Sequence, residues 1–207
     1  MNAFARTKSD AQFYCQLKYP DNDFRTGLWR TALTSKGFWL LVLQRIGYYA
    51  DTNKSLTNPL WWIAITIEYL SIYLFIVVAK SEIRYDCDFQ GRVYLSDHGY
   101  LILGPQLVGD GTLIHDHVTA GFGVASGSRE RPIIGKNVWI GPDCVIAGAL
   151  TIGDGATLLP GTIVTLPVAP NTVVAGNPAK VLRRNYDNSK LRQSLHIYYS
   201  LPEDANA

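Results

Sequence analysis

Aliphatic residues recur every six positions through the second half of this chain, and few architectures accept that period. Ile134, Ile140, Ile146, Ile152, Leu158 and Val164 stand at a fixed step of six. Gly follows the aliphatic at Ile134, Ile140 and Ile152, and Ala147 takes that place once. The same step runs upstream through Ile102, Val108, Ile114 and Ala120. A helix repeats its buried face every 3.6 residues and a strand every two, so neither makes a six. A coil of short parallel strands does, because each flat side repeats one inward aliphatic and one tight turn. Small residues at the turn allow backbone angles and close approach that larger side chains resist. The expected fold is mainly β, a parallel solenoid.

The repeat divides the chain. Residues 1–81 precede it, 82–184 carry it, and 185–207 form a tail. Within the first part, residues 1–34 read as an irregular arm with a turn at Tyr19-Pro20-Asp21-Asn22. Ser35 can cap a helix from Lys36 to about Ala50, with Phe38, Leu41, Val42, Arg45, Ile46 and Tyr49 on one broad face. A polar linker follows, and Asn58-Pro59 then opens a further helix. That segment, Leu60 to Ala79, is almost wholly apolar and broken by Glu68. Twenty helical residues span about 30 Å, enough for a bilayer core. A carboxylate near the middle is costly there. The segment therefore reads as a buried helix, as a helix lying in the membrane interface on Trp61, Trp62, Tyr69 and Tyr73, or as a span. Between Ala120 and Ile134 the register breaks, which extrudes a loop rich in Gly, Ser and Arg. The tail is polar, with a short helix expected around Ser189 to Tyr199.

Bulk properties exclude some functions. A net charge of +2 is too small to argue for nucleic acid. Three scattered cysteines (Cys15, Cys87 and Cys144) suggest a reducing compartment and no disulfide framework. No secretory leader is visible, so the expected location is cytoplasmic, at the inner face of the membrane if residues 60–79 touch lipid.

The motifs narrow the reading further. In order come a helix pair, Glu82-Ile83, Asp97-His98-Gly99, the turn Val118-Thr119-Ala120-Gly121, an Arg131-Pro132 loop and the second block of hexads. This order resembles the hexapeptide-repeat, left-handed parallel β-helix acyltransferases. Within them it resembles the serine acetyltransferase-like branch, which includes enzymes that O-acetylate surface polysaccharides. The resemblance implies a homotrimer with active sites shared between chains, and acetyl-CoA as donor with no metal. It also implies that Asp97 and His98 belong to the catalytic set, with His98 as the general base. Glu82 matches the carboxylate that orients it, with Asp86 and Asp88 as alternatives. An imidazole titrating near neutrality can take the proton of an attacking hydroxyl, and a carboxylate on its other nitrogen fixes the tautomer.

One departure concerns the acceptor. Serine acetyltransferases carry a second His just before the loop proline, and Arg131 stands there instead. This favours a sugar hydroxyl in exopolysaccharide, capsule or O-antigen assembly as acceptor, with serine as the alternative. Arg131 is then free to bind acceptor or cofactor phosphate. For the donor, the resemblance places Gly121, Gly123, Ala147 and Gly148 along a pantetheine groove and Thr165 near the adenine. Lys180 and Arg183, with Arg184, are placed to meet a 3′-phosphate. Leu166 replaces a usual Lys and removes one phosphate contact.

Two further readings stay open. His115-Asp116-His117 places two imidazoles on one strand face, a pattern that can ligate zinc in γ-carbonic-anhydrase-like solenoids. The further His of those enzymes is absent, since position 122 is Phe. The other reading is a non-catalytic solenoid that binds a partner through its apolar helices.

Overall fold

The computed structural model describes residues 3–52, 62–63, 66, 70, 80–123 and 130–194. Fifteen short strands among them wind into a solenoid of three flat sides. Side one stacks β1 (Glu82–Ile83), β4 (Leu101–Leu103), β7 (Val118–Gly121), β10 (Val145–Ala147) and β13 (Ile163–Val164). Side two stacks β2 (Asp88–Phe89), β5 (Leu107–Val108), β8 (Ile133–Ile134) and β11 (Thr151–Ile152). Side three stacks β3 (Tyr94–Leu95), β6 (Leu113–Ile114), β9 (Trp139–Ile140), β12 (Thr157–Leu158) and β14 (Val173–Ala175). All these neighbours pair in parallel; β15 (Lys180–Arg183) closes side three antiparallel to β14.

The hexad aliphatics point inward. Leu95, Ile114, Ile140, Leu158 and Val174 share one register on side three, and Phe89, Val108, Ile134 and Ile152 share one on side two. All are buried. On side one the inward column is Ile83, Leu103, Ala120, Ile146 and Val164. Ile102 is thus not a core position: it faces out and is 43% exposed, while Leu103 beside it is buried. The slip has a physical cause. Five residues, 96–100, turn the corner between Leu95 and Leu101, where three, 115–117, suffice between their partners Ile114 and Val118.

The N-terminal helices pack on the first coil, at β3 and the unpaired edge of β2. α1 (Ala3–Lys18), α2 (Phe24–Thr34) and α3 (Lys36–Thr52) precede the solenoid, and α4 (Ser189–Gln193) follows it. The arm expected to be irregular is therefore two helices. The turn at residues 19–23 joins them. Buried α1 residues Asp10, Ala11, Tyr14, Leu17 and Lys18 follow a helical period, but the two charges in that stripe hide it. Asp10 is paired with buried Arg45 of α3, and Lys18 with Asp97. Tyr14 packs on Phe38 and Tyr94, and its hydroxyl brackets Leu95 by donating to the carbonyl (3.0 Å) and accepting from the amide (2.8 Å). Ser35 caps α3 as expected, its hydroxyl accepting from the Phe38 amide at 3.3 Å.

The segment 60–79 lies outside the described residues except at 62, 63, 66 and 70, as does the end of the expected C-terminal helix beyond residue 194. Among the described residues no helix is long and apolar enough to cross a membrane.

Candidate active site

His98 sits at the middle of the enlarged corner between sides three and one. Its ring is exposed, and its amide donates to Ser96 Oγ at 3.2 Å. The residues around it are fixed. Asp97 Oδ1 accepts from Ser35 Oγ (2.7 Å) and the Gly37 amide (2.8 Å), and Oδ2 pairs with the Lys18 ammonium. Lys36 Nζ donates to the Gly99 carbonyl at 2.5 Å. Burial lowers the Lys36 pKa, and the Asp97 charge opposes that shift. Gly99 has φ +63° and lies against the His117 ring of the next coil.

Asp97 was expected beside the base as part of the chemistry. Its carboxylate instead faces the helices, and among the described residues no hydrogen bond joins it to the His98 ring. Glu82 is exposed at the start of β1, one coil below and at the same edge of side one, where its partner is Ile102. It makes no described hydrogen bond to His98. The alternatives lie elsewhere. Asp86 is at the corner between sides one and two, bound by Arg84 and Arg131. Asp88 pairs with Arg6.

The corner between sides one and two carries the small residues expected along the donor groove, with Thr165. Gly121, Ala147 and Thr165 each follow the inward residue of successive side-one strands, so they stack in a column. Gly148 continues it with φ +114°, its amide donating to the Gly121 carbonyl at 3.0 Å. Gly123 packs against Gly148 so closely that a Cβ there would lie 2.8 Å from the Gly148 Cα. Thr165 and Arg184 line a cavity of about 220 Å³ with Pro167, Pro178 and Val181. Lys180 and Arg183 lie on exposed β15, with the Arg183 guanidinium 5.4 Å from the Tyr186 ring centroid.

Arg131 reaches down the solenoid, along the same corner, to pair with Asp86 at 2.8 Å. Hydrogen bonding from Arg84, reinforced by Arg131, holds the Asp86 carboxyl below its ordinary value against the effect of burial. Arg131 therefore anchors the foot of the extruded loop. Residues 124–129 of that loop are outside the described set.

The two histidines of the His-x-His pattern do not converge. His115 packs its ring 4.8 Å from that of Trp139, and burial lowers its pKa, opposed by Asp116. His117 turns outward in a left-handed conformation, with Nδ1 3.3 Å from Asp143 and its ring 4.8 Å from that of Tyr100. Among the described residues no cluster of three ligating side chains could hold a metal.

Sequence reasoning missed Lys18, Lys36, Gly37 and Tyr14 as parts of this corner. It found Ser35 only as a helix cap. The Lys18–Asp97 pair spans 79 positions, a separation that leaves no periodic signal.

Residues 131–165 match the bacterial transferase hexapeptide (six repeats) family model. The chain is 39% identical over 102 residues to galactoside O-acetyltransferase of Escherichia coli K12, covering 44% of this chain and 48% of the relative. It is 30% identical over 185 residues to serine acetyltransferase of Buchnera aphidicola from Acyrthosiphon pisum, covering 84% of this chain and 61% of the relative. The chain spans about half the length, or less, of the first curated relatives it matches. Among solved structures, serine acetyltransferase of Neisseria gonorrhoeae in complex with serine superposes with a TM-score of 0.70 at 22% identity. That match covers 87% of this chain and 69% of the other, a likeness of fold.

Proposed function

We propose that this chain, whose residues 131–165 match the bacterial transferase hexapeptide family model, is a hexapeptide-repeat acyltransferase, an acetyl-CoA-dependent O-acetyltransferase with His98 as general base. The observation that carries this reading is the placement of an exposed imidazole on a corner that the repeat itself does not require. His98 accepts the proton of the acceptor hydroxyl as its oxygen attacks the thioester carbonyl. The carbon–sulfur bond then breaks, and CoA leaves as the thiol after regaining that proton. Such proton transfer supplies roughly 10²–10⁴-fold in rate. Glu82, at the same edge of side one, is the carboxylate we assign to steady the imidazolium. The glycine column with Thr165 holds the donor, and Lys180 and Arg183 contribute positive charge at its phosphate end.

The leading acceptor is serine, because the alignments that run through both the helices and the solenoid are with serine acetyltransferases. A sugar hydroxyl, as in polysaccharide assembly, is the second reading. Arg131 in place of the second His and the galactoside O-acetyltransferase relative favour it. The base and the donor column lie on opposite edges of side one, so a complete site calls for a neighbouring chain, which we take to be a trimer.

The test is thiol release from acetyl-CoA with serine and with a panel of free and nucleotide-linked sugars, for wild type and His98→Ala. Release with serine, lost in the variant, supports the leading reading. Release with a sugar alone moves the acceptor to the second. Wild-type rates in the variant sink the base assignment. Co-expression of His98→Gln with Gly148→Val, each inactive alone, should restore part of the activity if chains share the site.

A further inference from the structure

The residues on both sides of His98 are tied to the helical region, and His98 itself is not. Asp97 is held by Lys18 of α1 and by Ser35 and Gly37 at the start of α3. The side chains of Lys18 and Asp97 are only 4% and 9% exposed. Gly99 is held by Lys36 through its carbonyl and rests on the His117 ring. Leu95, where the corner begins, is bracketed by the Tyr14 hydroxyl. The helix start also presses on the strand end, since a Cβ on Gly37 would collide with the Leu95 carbonyl. A corner two residues longer than its successor would otherwise lack neighbours to fix it, because stacked coils restrain only what they stack on.

We propose that Asp97 is a positioning residue, and that Lys18, Ser35 and Lys36 use it and Gly99 to hold the His98 backbone in the geometry that transfer needs. This rests on the reading of His98 as base. The helical region is then a splint for the catalytic corner. A buried carboxylate with a buried ammonium and two further donors is fully satisfied, so it holds one arrangement strongly. Displacing a base by about 1 Å costs up to roughly a hundredfold in rate. The splint should therefore appear in turnover and leave donor affinity unchanged, because the donor column lies at the other edge of side one.

The test uses the full chain with Ser35→Ala, Lys36→Met and their combination. These spare the buried Lys18–Asp97 pair and so keep the fold. Histidine is isotopically labelled at the ring, with the His98 signal assigned by its loss in His98→Gln. The expected result is faster internal motion of the His98 ring in the combined variant, with His115 relaxation unchanged. Turnover should fall by roughly ten- to a hundredfold, with the same dissociation constant for acetyl-CoA. Ser35→Thr, which keeps the hydroxyl, should restore turnover. Unchanged His98 relaxation and turnover in the combined variant would overturn the positioning role while leaving the base assignment intact. Full activity of His98→Gln would overturn both.

Discussion

Replacing Gly99 by Ala should both destabilise the protein and disturb the corner that carries His98. Gly99 has φ +63°, where an L side chain costs about 1–2 kcal/mol. The added Cβ would also lie 2.6 Å from His117 Nε2 and 3.0 Å from the Asp116 Cβ. The His117 ring is the far end of a partly exposed side chain, so it can swing away. Doing so gives up its contact with Asp143 at 3.3 Å and its packing on Tyr100. The exposed His117–Asp143 contact contributes under about 1 kcal/mol, and the ring contact about 0.5–1.5. Against these, alanine restricts the unfolded chain and returns about 0.4–1 kcal/mol. The net expectation is a loss of about 2 kcal/mol, or roughly 4–8 °C in Tm for a chain of this size.

Urea unfolding at fixed protomer concentration would measure it, since assembly makes apparent stability concentration-dependent. A cycle with His117→Ala separates the two causes. Removing the ring should relieve the crowding and leave the backbone cost, a coupling of about 1 kcal/mol. A Gly99→Ala protein as stable as wild type would refute the left-handed corner. A full loss with no coupling to His117 would refute the contact between coils.

Three further outcomes are expected. Ile134→Ala removes a fully buried side chain and should cost about 3–4 kcal/mol, whereas Ile133→Ala, 36% exposed in the chain, should cost under about 1; equal costs in urea unfolding would reject the register. Burial lowers the His115 pKa below 6.5, so the unfolded chain binds more protons and stability falls as pH drops through and below that value. His115→Leu should therefore gain on wild type between pH 7.5 and 5 in thermal unfolding, and a constant difference would contradict this. The Asp86 pKa lies below 3.8, so its contribution is present above that pH and is lost as pH falls below it; the stability gap between wild type and Asp86→Asn should close in acid, and a gap that persists would mean that Arg84 and Arg131 do not stabilise the ionised carboxylate.

The solenoid was legible because its signal is periodic and redundant: each inward aliphatic repeats the same local chemistry. The error at Ile102 shows where such reading stops. Ile102 and Val108 are six apart, yet the core residue is Leu103. Two extra residues at 96–100 and one fewer between Leu103 and Val108 nearly cancel, and a period count cannot see a cancelling pair. The helix α1 was missed for a different reason. Its buried face contains Asp10 and Lys18, and a charged residue reads as surface until its partner is known. Those partners, Arg45 and Asp97, are 35 and 79 positions away. The partner of Arg131, Asp86, likewise lies 45 positions upstream, out of reach of a local pattern.

In a repeat fold the scaffold positions are set by the repeat, so residues that carry function gather where the repeat is interrupted. Two of the interruptions in this chain are insertions, and both flank side one. The enlarged corner 96–100 precedes β4, and the extruded loop follows β7, which pairs directly with β4. The first exposes an imidazole and is tied to the helices. The second begins at a column of small residues and is tied by Arg131 to Asp86. Each insertion thus has its own charged anchor, made by residues that the repeat does not specify. The buried Lys18–Asp97 pair and the Arg131–Asp86 pair are costly ways to gain stability, since well-packed apolar residues would serve a core as well. Their position beside the two interruptions, rather than along the uniform stack, ties them to the geometry of those segments.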